Sequence, residues 1–203
     1  MPDPSAVSSP LILGFALGLR HALDADHLVA MATIVSRERS LPRAALYGAR
    51  WGVGHGLSLF LVGIAVVLLG IPFPKSLGHA LELGVGAMLV ALGISALLRR
   101  DGSATPAARP ARRPFLVGVA HGLAGSGALA ILVLATIRSP IEGLLYIGIF
   151  GLGSIGGMFG MSAVMSLPFV VAARRAGQTP VWMGHGAALA SVAFGVYYIA
   201  QHA

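Results

Sequence analysis

Apolar residues run along this chain in six long blocks, roughly 11–34, 45–70, 77–98, 115–137, 141–167 and 181–200, separated by short polar stretches. Each block is long enough for an α-helix to cross a hydrocarbon layer of about 30 Å at about 1.5 Å per residue. Three of the helices they predict open on a hydroxyl residue followed by proline: Ser9-Pro10, Ser139-Pro140 and Thr179-Pro180. That order suits an N-cap and then the first helical position, where the missing proline N–H costs nothing. The pattern predicts an all-α integral membrane protein of six transmembrane helices.

The segment 99–114 reads RRDGSATPAARPARRP, a basic Pro/Ala linker too short to be a domain. It divides the chain into residues 1–98 and 115–203, with three spans each, and the halves resemble each other. Tyr47-x4-Gly52-x-Gly54-His55 returns as Tyr146-x4-Gly151-x-Gly153-Ser154, and Gly78-His79 returns as Gly184-His185. LGFALGL (13–19) answers VGVAHGL (117–123). An odd number of spans per half forces the halves to insert with opposite topology. The expected architecture is therefore two inverted three-helix repeats with a site near the midplane, a plan used by transporters.

Composition supports the membrane class. The chain of 203 residues is 56% hydrophobic and 10% charged, with mean hydropathy +0.84, where a soluble domain carries about 25% charged residues. The net charge of +7 does not point to nucleic acid, because the arginines lie in short loops. Arg37, Arg39 and Arg43 follow span 1. Arg99, Arg100, Arg109, Arg112 and Arg113 follow span 3, and Arg174 and Arg175 follow span 5. The opposite side holds only Lys75 and Arg138. The positive-inside rule then places both termini outside. The opening MPDPSAVSSP has no basic n-region, so the first span is expected to be retained. Cysteine is absent, which excludes thiolate metal sites and thiol-relay chemistry.

Against this background residues 20–27 stand out. They read Arg-His-Ala-Leu-Asp-Ala-Asp-His inside an apolar span. Each charged group near a helix centre costs about 2.5–3.5 kcal/mol, while each Leu or Val returns about 0.3–0.6. A structural Arg20–Asp24 ion pair leaves His21, Asp26 and His27 unexplained. On a regular helix Arg20, His21, Asp24 and His27 share one face, and Asp26 points away. Asp26 then either orients a histidine on a neighbouring helix or marks a local break. His55 lies in span 2 between glycines, and His121 in span 4.

Together His21, Asp24, Asp26, His27, His55 and His121 form an intramembrane nitrogen and oxygen ligand set. Imidazole suits nickel, cobalt, zinc and copper, whereas magnesium and calcium prefer oxygen. His79 and His185 open their spans and are expected at the interface. Met158, Met161 and Met165 share a helix face and are expected as packing. Arg50 and Glu82 are expected to pair or to reach an interface.

His21-x4-Asp26-His27 within RHALDADHLVAM resembles the signature helix of the nickel/cobalt transporter family, and GVGHGLS around His55 resembles its second motif. Typical members have eight spans, and this chain matches from their second. Its later spans lack the acidic residues of the family's later motifs, which brings it nearer to the shorter UreH-like branch. The resemblance implies metal recognition by His21, Asp26, His27 and His55, with nickel or cobalt as transported ion rather than bound cofactor. It also implies a bacterial cytoplasmic membrane location. Two alternatives stand beside it: a non-transporting accessory membrane protein working with urease or hydrogenase maturation proteins, and a small-anion exporter of the sulfite type. The anion exporter would favour cationic groups over a His/Asp cluster. No GxxxxGK[ST] segment occurs, so transport, not enzymatic turnover, is the expected activity.

Overall fold

Aspartate competes with helical hydrogen bonding by bonding nearby backbone or side chains, and the first apolar block breaks where its aspartates begin. In a computed structural model, which describes residues 4–71, 74–98, 112–136, 139–177 and 181–203, helix α1 spans Pro4–His21 and α2 spans Ala25–Val35. Between them Asp24 is extended, with φ −63° and ψ 146°. The expected continuous span over 11–34 is thus two short helices joined by a turn. Backbone irregularity of this kind is tolerated at membrane depth only where it is buried in protein or lines a cavity.

The remaining helices are α3 (Leu41–Gly63), α4 (Lys75–Leu97), α5 (Arg112–Thr136), α6 (Pro140–Ala176) and α7 (Val181–His202). A π-helical turn, Ile64–Leu68, extends α3, and Gly70 closes it at φ 65°. No strand occurs among the described residues. Helix starts are mixed against expectation. Ser139 does cap α6, its hydroxyl accepting from the Glu142 amide at 3.5 Å. By contrast Ser9-Pro10 falls inside α1, which already begins at Pro4. Thr179-Pro180 and linker residues 99–111 lie outside the described residues, while 112–114 open α5. Helix α6 continues past Pro168 to Ala176 and ends at Gly177, whose φ of 72° closes the helix in the left-handed region.

Among the described residues, four stretches are long and apolar enough to cross a membrane: Leu41–Leu68, Lys75–Leu97, Pro140–Ala176 and Val181–His202. Two shorter apolar helices, Leu11–His21 and Ala25–Val35, accompany them. The chain is a multi-pass membrane protein. Leu57, Leu152, Phe159 and Trp182 are exposed, as lipid-facing side chains require.

Helix α3 packs between α5 and α6, α1 lies along α6, and α4 lies along α7. Glycines set the closest approaches. A Cβ on Gly18 would strike the Phe150 carbonyl, and one on Gly118 would strike the Trp51 carbonyl. A Cβ on Gly54 would strike the Phe115 carbonyl, and one on Gly153 the Phe15 carbonyl. These four contacts exchange in pairs when the two halves are exchanged. In these contacts Gly18 and Gly118 play like parts, one helical turn from the pairing of Gly18 with Gly122 that the match of LGFALGL with VGVAHGL gives. Hydroxyls stitch the helices further, from Ser58 to the Val119 carbonyl at 2.9 Å and from Ser191 to the Leu89 carbonyl at 2.8 Å.

Candidate metal centre

The break between α1 and α2 brings two clusters of ligating side chains together. Because Asp26 sits in the first turn of α2, its carboxylate lies near the positive end of that helix and reaches two histidines. His27 Nδ1 donates to Asp26 Oδ1 at 3.0 Å, and the His27 amide donates to the same oxygen at 2.9 Å. His121 Nε2, from α5, donates to Asp26 Oδ2 at 2.9 Å. Both readings left open for Asp26 by the sequence therefore hold: the helix is broken, and the carboxylate orients a histidine on another helix.

The second cluster forms at the end of α1. His21 Nδ1 donates to Asp24 Oδ2 at 2.8 Å, and His21 Nε2 lies 3.1 Å from His55 Nε2 on α3. Asp24 therefore pairs with His21, and the alternative Arg20–Asp24 ion pair does not form among the described contacts. Arg20 is exposed.

With the carboxylates ionised and the imidazoles neutral, these bonds assign the tautomers. His27 keeps its hydrogen on Nδ1 and His121 on Nε2. His21 spends its Nδ1 hydrogen on Asp24, so His55 must donate from Nε2 to His21. That leaves the lone pairs of His27 Nε2, His55 Nδ1 and His121 Nδ1 buried without a hydrogen-bond partner. Unpaired buried acceptors cost about 1–3 kcal/mol each, and a cation is the partner that would satisfy several at once.

Ligand atoms of His21, His27 and His55 lie within 4.8 Å of one another, as do those of Asp26, His27 and His121. His27 belongs to both groups. Asp24 belongs to neither and serves as the hydrogen-bond partner of His21. Access is graded: side-chain exposure is 55% for Asp24 and 23% for His21, against 17% for Asp26 and 1% for His27. His55 and His121 are also buried. The open side of the centre is therefore the Asp24–His21 end.

Aromatic side chains wall the centre, and sequence reasoning did not single them out. Trp51, fully buried, stacks on His27 at 5.4 Å between ring centroids and meets His121 edge-on at 5.6 Å. Phe150 lies 5.4 Å from His21. The signal was present: Trp51 stands one turn before His55, and Phe150 takes the matching place in the second half. The remaining candidates stay outside the centre. Met158 and Met161 are core residues, with Met165 packed against them. Glu82 lies 3.9 Å from His202, and of the two places expected for it, the pair with Arg50 does not form among the described contacts.

A urease accessory protein UreH from Bacillus sp. (strain TB-90) is 34% identical to this chain over 189 residues, covering 85% of this chain and 83% of the relative. No protein-family model matches the chain, and no solved structure matches it.

Proposed function

Because the chain belongs to the nickel/cobalt transporter family, in its shorter UreH-like branch, we propose that it moves a divalent transition-metal ion, nickel or cobalt, across the bacterial cytoplasmic membrane. The observation that carries this reading is the trio of buried, unpartnered imidazole nitrogens on His27, His55 and His121, held in place by Asp24 and Asp26. Carboxylates that bond the far nitrogen of a ligating histidine fix its tautomer and raise its basicity toward metal. Borderline divalent ions are the class that such nitrogen-rich, thiolate-free sites favour.

The ion meets His21 and His55 first, from the open Asp24 side, and passes to Asp26 and His121 with His27 ligating in both positions. The exchange of contacts between halves supports an inverted pair of three-helix repeats, in which rocking of one repeat exposes the centre to either side in turn. The loop arginines favour an orientation with both termini outside.

The relative is named a urease accessory protein, which supports a second reading: the chain holds metal for proteins that mature a metalloenzyme, without moving it across the bilayer. Metal flux into proteoliposomes separates the two. Uptake of nickel or cobalt by wild type, lost in His21→Ala and His27→Ala, supports transport. Tight binding without flux supports the accessory role, and equal flux in the variants removes the histidine centre from both.

A further inference from the structure

A second pair of ligating side chains lies outside the metal centre, at the end of the bundle opposite the basic loops. Glu82 stands about two turns into α4 and His202 in the last turn of α7, and these two helices lie along each other. His202 Nε2 is 3.9 Å from Glu82 Oε2, with side-chain exposures of 30% and 40%. Glu82 makes no other ion pair among the described residues. An ionisable pair within membrane helices is by default functional rather than structural, and the central cluster uses neither residue.

The hydrogen bond of His202 decides what faces Glu82. A carbonyl oxygen only accepts, so the 2.8 Å contact between His202 Nδ1 and the Tyr198 carbonyl places the imidazole hydrogen on Nδ1. In the neutral ring Nε2 then carries a lone pair, and it is turned toward a carboxylate oxygen that also only accepts. At 3.9 Å no hydrogen bond joins the two, because such bonds end near about 3.2 Å. Two acceptors turned toward each other are satisfied together by a cation between them. A first-row divalent ion such as zinc bonds imidazole nitrogen and carboxylate oxygen at about 2.0–2.2 Å each, so it spans this gap with little movement, and water completes its shell. One nitrogen and one oxygen favour borderline transition ions over magnesium or calcium. Two protein ligands also hold an ion weakly enough to release it, as a stop on a conduction path requires.

The pair also stands near the entrance of the centre. The Tyr198 ring stacks on His202 at 4.3 Å between centroids, packs against the core, and lies within electrostatic reach of Glu82, Asp24 and Asp26 alike. Tyr198 therefore links the pair to the open Asp24–His21 end. We propose that Glu82 and His202 form a second divalent-metal site, which captures nickel or cobalt at this end of the bundle and loads it toward Asp24 and His21. The loading role rests on the transport reading; binding of the ion does not.

Glu82→Gln and His202→Ala would be compared with wild type by equilibrium dialysis of the purified, detergent-solubilised protein against nickel. Each variant is expected to bind one ion fewer per chain. The same loss is expected when His27→Ala and His55→Ala are already present, so failure of this site and failure of the centre are read separately. Thermal unfolding checks that the variants fold, and should one of them fail, the other carries the test. An unchanged count in both overturns the proposal; an unchanged count with a lowered melting temperature overturns it in favour of a plain imidazolium–carboxylate bridge. In proteoliposomes each variant should raise the half-saturating nickel concentration about threefold or more with the maximal rate kept, as loss of an ion-binding step requires. An unchanged half-saturating concentration overturns the loading role.

Discussion

His121 Nε2 donates to Asp26 Oδ2 at 2.9 Å, joining α5 to the first turn of α2. This bond ties the second half of the chain to the break in the first. It uses a hydrogen that leaves His121 Nδ1 buried and unpartnered. The arrangement therefore holds both ends of a ligand shell in place before any ion arrives.

Asp26→Asn is the sharpest test of that role. An amide can accept from one histidine but presents its NH2 to the other, so one of the two imidazoles loses its orientation. Metal affinity should fall about 10–100-fold, the usual cost of removing an orienting carboxylate, with the protein still in the membrane. Calorimetric titration of nickel and cobalt in detergent checks it. Wild-type affinity in Asp26→Asn would mean that the carboxylate does not support the centre.

The close helix approaches make a stability prediction. Gly18→Ala and Gly118→Ala each place a methyl group on a backbone carbonyl, Phe150 and Trp51 respectively. Backbone cannot swing aside, so each should cost about 1–3 kcal/mol. Gly186 has nothing within 4 Å, and Gly186→Ala should be neutral or mildly stabilising through helix propensity. Thermal unfolding of the three variants in one detergent compares them directly.

Metal binding should depend on pH with a definite sign. Coordination needs the imidazole lone pairs, and protons compete for them. Affinity should be highest at mildly alkaline pH and fall on acidification, as protons take the lone pairs that the ion needs. Affinity that stays equal from mildly alkaline pH down to the lowest pH at which the protein remains folded would exclude histidine ligation.

Topology is testable because the native chain has no cysteine. Ser103→Cys lies among the basic residues between spans 3 and 4, and Ser76→Cys lies on the opposite side in the loop-rule assignment. A membrane-impermeant thiol reagent applied to intact cells should label only Ser76→Cys. Labelling of Ser103→Cys alone would reverse the orientation and the side from which the ion first meets His21.

Much of this protein was legible in one dimension. Bilayer thickness imposes a length on apolar blocks, so membrane class and the main helices follow from hydropathy alone. The cost of ionisable groups in lipid singled out His21, Asp26, His27, His55 and His121 for the same reason. Their number is too unfavourable to be incidental. What the order of residues could not decide was direction and register. Whether Asp26 turned away from its neighbours or reached another helix depended on the break at residues 22–24, where α3 and α5 bring His55 to His21 and His121 to Asp26. The match of LGFALGL with VGVAHGL is one of several registers that glycine-rich apolar text allows almost equally well. The contact of Gly18 with the Phe150 carbonyl and of Gly118 with the Trp51 carbonyl is a fact of packing that the text does not carry. The place of Trp51 against His27 and His121 was likewise invisible, since it is defined by which helices stand beside it. Composition and spacing determine what a membrane helix must contain; packing decides which of its side chains meet.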